Sequence, residues 1–361
     1  MAWPNRDFLD LVGVDLPIIQ APMAGAGGAE MAIAAATAGG LGSLPCALLS
    51  VEKMRAEIGV FRQRTDQPLN LNFFCHEPPE PDPDREADWK DHLAGYYDEL
   101  GLDRSATANA PNRAPFDDAM CQIVEDARPE IVSFQFGLPA TDLLQRVKAT
   151  GAVVMGAATT VAEARWLENR GCDAIIAQGA EAGGHRGIFL GEDITTQPGT
   201  MALVPQVVDA VSVSVIAAGG IADGRGVAAS LCLGAAAAQV GTAYLFTPES
   251  LISDLHRAVL AAATDEETAL TNLFSGRPAR GLLNRLMREI GPMSDMAPAF
   301  PTAGGALAPL RAAAEAQGRA DFTNLWAGQA AALGHELGAE ELTRGLAEDA
   351  ARQLTGILPK T

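Results

Sequence analysis

Gln178 to Gly187 reads Gln-Gly-Ala-Glu-Ala-Gly-Gly-His-Arg-Gly, one histidine set among glycines. Glycine lets a backbone approach a flat ligand closely. An imidazole changes protonation near neutral pH, so it can serve as base or hydrogen-bond donor. Gln178 can hydrogen-bond the edge of a ring, and Gly183 and Gly184 leave room for a cofactor. An isolated histidine is usually a packing residue; its place in this loop makes His185 the candidate catalytic group. His76 borders an acidic stretch and is within reach of the same region, whereas His92, His256 and His335 read as surface or helix-packing residues.

Two further segments suit an anion. Ala-Ala-Gly-Gly-Ile-Ala-Asp-Gly-Arg-Gly, residues 217–226, and Gln-Val-Gly-Thr-Ala-Tyr-Leu, residues 239–245, offer the backbone N–H groups of Gly220 and Gly241 and the hydroxyl of Thr242 to a phosphate. Near the N-terminus, Gln-Ala-Pro-Met-Ala-Gly-Ala-Gly-Gly places Met23 in a run of small residues that can lie flat against an aromatic ring. In Asn-Leu-Asn-Phe-Phe-Cys-His, Asn72 is set to meet a ring edge or a sugar-like hydroxyl.

These segments fall at the ends of short apolar runs. Strands are expected over Leu16 to Gln20, Gly42 to Leu44, Leu69 to Phe73, Ile131 to Phe136, Ala152 to Ala157, Asp173 to Ala177, Val213 to Ala218 and Ala237 to Val240. Between them, Val51 to Arg62, Thr141 to Lys148, Thr160 to Asn169 and Gly224 to Leu231 have helical spacing. This rhythm favours an α/β (β/α)8 TIM barrel over an open doubly wound sheet, and every candidate above then follows a strand, where barrel active sites are built. The expected organisation is a barrel over residues 1–246, with an acidic Pro-rich insertion at about 76–116, followed by a helical subdomain over 247–361 packed across the barrel mouth.

Twenty-six Lys and Arg against 45 Asp and Glu give a net charge of −19, which leaves little to attract nucleic acid or an anionic membrane. Arg277, Arg280, Arg285 and Arg288 could still form a local basic patch. The five cysteines show no Cys-x-x-Cys spacing, so neither a disulfide framework nor a metal site is expected. Two long uncharged runs, Met31 to Ser50 and Gly226 to Pro248, are broken by glycines and read as buried helix–strand pairs rather than membrane spans. With Arg6, Asp7 and Asp10 where an export signal needs an apolar stretch, the expected location is cytoplasmic.

Taken in order, Pro-Ile-Ile-Gln-Ala-Pro-Met-Ala-Gly-Ala-Gly-Gly, Asn-Leu-Asn-Phe-Phe, Gly-Ala-Glu-Ala-Gly-Gly-His-Arg-Gly, Ile-Ala-Ala-Gly-Gly-Ile-Ala-Asp-Gly-Arg-Gly and Gln-Val-Gly-Thr-Ala-Tyr-Leu closely resemble the nitronate monooxygenase family, formerly called 2-nitropropane dioxygenases. Phe274 to Gly281 and Leu325 to Ala331 extend the resemblance into the C-terminal part. It implies a flavoprotein oxidoreductase that binds FMN and oxidises alkyl nitronates with O2 to a carbonyl compound and nitrite. The implied FMN contacts are Met23, Asn72, Gln178, Gly183, Gly220, Gln239, Gly241 and Thr242, with His185 catalytic. Partners are then a small nitronate or nitroalkane and O2, with a homodimer one compatible assembly. Gln135 stands where many relatives carry histidine. The flavin-dependent enoyl-acyl-carrier-protein reductases, which use NADH, share the Gly-Gly-His loop and the phosphate glycines and are the alternative; a flavin-binding protein with a sensing or storage role is a further one.

Overall fold

The computed structural model describes residues 3–105 and 113–357. β1 (Ile18–Gln20), β2 (Gly42–Pro45), β3 (Leu69–Phe74), β4 (Ile131–Gln135), β5 (Val153–Ala158), β6 (Ala174–Gln178), β8 (Ser214–Ala218) and β9 (Ala237–Val240) form one parallel sheet. Neighbours in the sheet are neighbours in this sequence, from β2 round to β9 and on to β1. A further parallel bridge, Ile19 to Leu41, joins β1 to the edge at β2. The result is a (β/α)8 TIM barrel. A parallel sheet covered by helices is buried on both faces, so its strands are mostly apolar, and buried polar residues such as Gln20, Asn70 and Asn72 each make a side-chain hydrogen bond. β6, Ala-Ile-Ile-Ala-Gln, obeys this rule until its last residue, which reaches the mouth.

The helices between strands start where short polar side chains can satisfy free N–H groups. Ser50 accepts from the Lys53 amide (3.3 Å), Thr160 from Glu163 (3.2 Å) and Asp223 from Arg225 (2.9 Å). The strands and intervening helices expected from sequence lie within a residue or two of those observed. Both long uncharged runs are helix–strand pairs: Ala29–Thr37 with β2, and Gly224–Cys232 with β9. Among the described residues no helix is long and apolar enough to cross a membrane.

The remainder departs from expectation in two ways. The stretch after residue 247 is not wholly helical: β10 (Thr268–Thr271) and β11 (Ala279–Leu282) pair antiparallel, and β11 pairs in turn with β7 (Gly184–His185). These strands are too short to show an alternating pattern, and their pairing, not their composition, makes them strands. Nor does all of this stretch lie over the mouth. The helix Ala339–Ile357 packs on the barrel wall against Gly224–Cys232 and Ala29–Thr37, and contributes Leu342, Leu346 and Ala350 to the barrel core.

The acidic insertion has two faces. Its carboxylates from Glu77 to Asp88 are exposed, whereas Trp89, Leu93 and Tyr97 form a second core with Leu273, Leu286, Leu310 and Phe322. Trp89 Nε1 donates to the Ala303 carbonyl (3.1 Å), and the Tyr97 hydroxyl to that of Ala306 (2.6 Å). Insertion and C-terminal segment thus share their apolar surface.

Candidate active site

A cavity of about 520 Å³ opens at the C-terminal ends of the strands. Met23, Asn72, Gln178, Gly183, His185, Gly220, Gln239, Gly241 and Thr242 all line it, as do Gln135, Arg113, His256 and, from the C-terminal segment, Arg311, Trp326 and Gly328. Residues from separate strand exits are therefore gathered around one space.

The His185 loop is fastened from several sides. Arg186 is fully buried and donates to Gln197 Oε1 (2.7 Å) and to the carbonyls of Gly179 (2.7 Å) and Gln178 (2.8 Å). Buried Glu163 accepts from the amides of Phe189 (2.6 Å) and Leu190 (3.2 Å) just beyond the loop. Pairing of β7 with β11 completes the frame. Gln178 is more occupied than expected: its Nε2 donates to the His185 carbonyl (3.2 Å) and its Oε1 accepts from the Gly187 amide (2.7 Å). Gln135, at the end of β4, donates to the same His185 carbonyl (3.2 Å). Both glutamines thus hold the backbone from which the imidazole projects.

The imidazole sits in an aromatic box. Its centroid lies 5.4 Å from Phe300, 5.5 Å from Trp326, 6.1 Å from Phe136 and 6.4 Å from Phe74. Its Nε2 is 2.8 Å from Ser275 Oγ. Burial, then the positive charges of Arg113 and Arg277, push its pKa down to about 3, so the ring is neutral at physiological pH. His76 is buried against Phe300 (4.7 Å) and, for the same reasons, is held at about 4. His256, expected to pack or lie on the surface, instead lines the cavity, and burial lowers it to about 4.

The remaining groups differ in what they can offer a ligand. Asn72 Nδ2 donates to Ser133 Oγ (2.9 Å), leaving its amide oxygen. Gln239 Oε1 is buried without a partner among the described residues, a position that a donor on a bound group would satisfy. Thr242 Oγ1 accepts from the Gly328 amide (2.8 Å), so its own proton stays available. Gly220 has φ 69°, a left-handed conformation. A Cβ there would meet Glu181 at 3.2 Å, so the nearest obstacle to a side chain is that residue and not the open cavity.

The four arginines that could have made a basic docking patch do not make one. Arg277 donates to the Ile188 carbonyl and lies 4.1 Å from the centre of the Phe136 ring. Arg280 donates to the Ala180 carbonyl (3.0 Å), and Arg285 pairs with Glu99 (2.7 Å) and Glu289 (2.8 Å). Only Arg288 of the four is exposed.

Fold and site together define a barrel enzyme with a ligand cavity at the strand C-termini. The nitronate monooxygenase family model matches residues 5–349. A nitronate monooxygenase of Pseudomonas aeruginosa PAO1 is 43% identical over 344 residues, covering 95% of this chain and 98% of its own. One of Paraburkholderia phytofirmans is 40% identical, covering 95% and 94%. The chain belongs to the nitronate monooxygenase family. Among solved structures, a nitroalkane oxidase from Streptomyces ansochromogenes superposes with a TM-score of 0.88 at 38% identity over 97% of this chain and 99% of that one. FabK from Thermotoga maritima is more distant, at 0.72 and 26% over 97% of both chains.

Ser275, Phe300, Trp326 and Arg113 were not singled out from sequence. The first and third lie in the stretches 274–281 and 325–331, whose resemblance was visible but whose roles were not. Phe300 and Arg113 lie in irregular segments with no motif around them.

Proposed function

We propose that the chain oxidises alkyl nitronates with O2 to a carbonyl compound and nitrite, using noncovalently held FMN. The observation that carries this reading is the convergence of Met23, Asn72, Gln239, Gly241, Thr242 and His185 on one cavity. The residues suit a flavin mononucleotide: the Gly220, Gly241 and Thr242 backbone would take the phosphate, the Asn72 oxygen and orphaned Gln239 Oε1 would accept from N–H or hydroxyl groups, and the Met23 segment would lie against the ring. When bound, the flavin supplies the electron acceptor for the nitronate and the place where O2 is reduced.

A nitronate is already deprotonated and electron-rich, so the protein's task is to orient it and stabilise its charge. Ser275 has one hydroxyl proton. With that proton directed to the Arg277 carbonyl (3.3 Å), His185 donates from Nε2 and keeps the Nδ1 lone pair free. That form could accept the α-proton of a nitroalkane, but the resulting imidazolium would sit beside two guanidinium groups. Preformed nitronate is therefore the better substrate for this site.

The test is the purified yellow protein with propyl nitronate: oxygen-dependent nitrite release is expected, all colour should leave the polypeptide on acid precipitation, and NADH should reduce the flavin negligibly. Rapid anaerobic bleaching by NADH, with reoxidation by an enoyl thioester, would overturn the reading in favour of a reductase. The carbonyl-bound Arg277 and Arg280 and the ion-paired Arg285 argue against docking of an acidic carrier protein.

A further inference from the structure

We infer that Arg113 is the substrate-binding cation of this cavity, its guanidinium taking the two oxygens of the nitronate and selecting the anion over the neutral nitroalkane. The inference rests on the nitronate reading above. Arg113 lines the cavity, and its guanidinium carbon lies 6.0 Å from the centre of the Phe300 ring. The same ring stands 5.4 Å from His185, so cation and imidazole flank one aromatic wall.

Arginines elsewhere around the site are engaged. Arg186, Arg277 and Arg280 donate to carbonyls of the His185 loop and its continuation. Arg311 donates to Asn324 Oδ1 (3.0 Å) and faces Glu315 (3.8 Å). Arg113 has neither an ion pair nor a hydrogen bond among the described residues. Glu315 also lines the cavity, but it accepts from the Thr323 hydroxyl (2.8 Å) and faces Arg311. Arg113 is half-buried, with Arg311 the neighbouring charge, and a cation partly withdrawn from water without a counter-ion is costly, so a ligand that brings the missing charge recovers that cost on binding. His185 and His76 are neutral, so neither supplies this charge. A nitronate carries two oxygens on one planar nitrogen, the same spacing that lets a guanidinium fork grip a carboxylate.

Nitrate, a planar anion that is not turned over, serves as the probe, titrated into the holoenzyme by flavin absorbance and by calorimetry. In Arg113→Met, nitrate affinity should fall and the KM for ethyl nitronate rise by at least about 30-fold, the range for removing one partner of a desolvated charge pair. The KM for neutral nitroethane should move less than about threefold. Arg113→Lys, which keeps a point charge without the fork, should retain at least about tenfold more nitrate affinity than Arg113→Gln; this pair decides the matter if the Met variant does not fold. Absence of saturable nitrate binding in the parent, equal affinity in the Lys and Gln variants, or KM values for nitronate and nitroethane that rise together would overturn the assignment. Nitrate binding needs no turnover. A parent that binds nitrate through Arg113 yet releases no nitrite supports the anion site and overturns the nitronate reading alone.

Discussion

Replacing Gly183 by alanine separates the site's scaffold from its ligand surface. A Cβ at Gly183 would lie 2.5 Å from the Gly328 amide nitrogen and 2.6 Å from the Ala327 carbonyl carbon, both backbone atoms that cannot rotate aside. To restore ordinary contact the 327–328 segment must retreat by about 0.9 Å. A shift of that size is enough to break the hydrogen bond from the Gly328 amide to Thr242 Oγ1, now 2.8 Å long. Overpacking of this kind costs about 1–3 kcal/mol and the lost hydrogen bond about 1 kcal/mol more. For a chain of this length, a loss of about 2–4 kcal/mol lowers Tm by roughly 3–6 °C. Gly241→Ala is the control. Its φ is −111°, and a Cβ there makes only ordinary contacts, 3.6 Å to Ala21 and 3.7 Å to Met23. Its apoprotein should melt within about 1 °C of the parent, while the added methyl weakens flavin binding. The assay is differential scanning fluorimetry of the stripped proteins, with flavin titration followed by fluorescence quenching. A Gly183→Ala apoprotein with parental Tm would mean that the 327–328 segment is not seated on the His185 loop; unchanged flavin affinity in Gly241→Ala would remove that exit from the cofactor surface.

His185→Asn should retain flavin but lose about 10²–10⁴-fold in kcat/KM on neutral nitroalkanes, with a smaller loss on preformed nitronates; equal losses on both, measured by nitrite release, would place His185 in binding or electron transfer and not in proton abstraction. His185, His76 and His256 are held near 3, 4 and 4, below the ordinary 6.5. Neutral when folded and charged when unfolded, they contribute stability that is complete above about pH 6.5 and declines as pH falls toward 4 and then 3. Unfolding at pH 5 should accordingly take up close to one proton per histidine; calorimetric uptake unchanged in His76→Gln would contradict this burial. Trp89→Ala should cost about 3–5 kcal/mol in urea unfolding, as for a large core side chain, although Trp89 belongs to an acidic insertion; a cost under about 1 kcal/mol would mean that the second core contributes little.

The barrel was legible because its signals are local. A parallel strand buried on both faces is mostly apolar, and β6 and β8 show this as Ala-Ile-Ile-Ala and Val-Ile-Ala-Ala. Once those strands are placed, barrel geometry dictates that the residues after them converge, which is why the sequence alone groups Met23, Asn72, Gln178 and Gly241. The details of their partners were not legible. Nothing in the spelling of Gln178 says that both ends of its amide are spent on the loop, and nothing near Gly220 says that Glu181 stands in front of it. The β10–β11 hairpin escaped because its four-residue strands, Thr-Ala-Leu-Thr and Ala-Arg-Gly-Leu, show no alternating pattern, and only part of what holds β11 is far away in the chain: it pairs with β10 and also with β7, about ninety residues earlier.

Such long-range dependence concentrates where the chemistry is tuned. Ser275 Oγ meets His185 Nε2, Phe300 and Trp326 stand against the ring, and Arg113 and Arg277 lower its affinity for a proton. Ser275, Phe300, Trp326 and Arg277 all come from beyond residue 247, and Arg113 from the end of the insertion. The barrel exits bring the cavity's glycines, Asn72 and Gln239 together, yet an imidazole on the loop after β6 with none of these neighbours would be solvated and titrate near its ordinary value. The neutrality of His185, and with it the proposed preference for a substrate that arrives already deprotonated, is a property of the packing between the barrel mouth and the segments added to it.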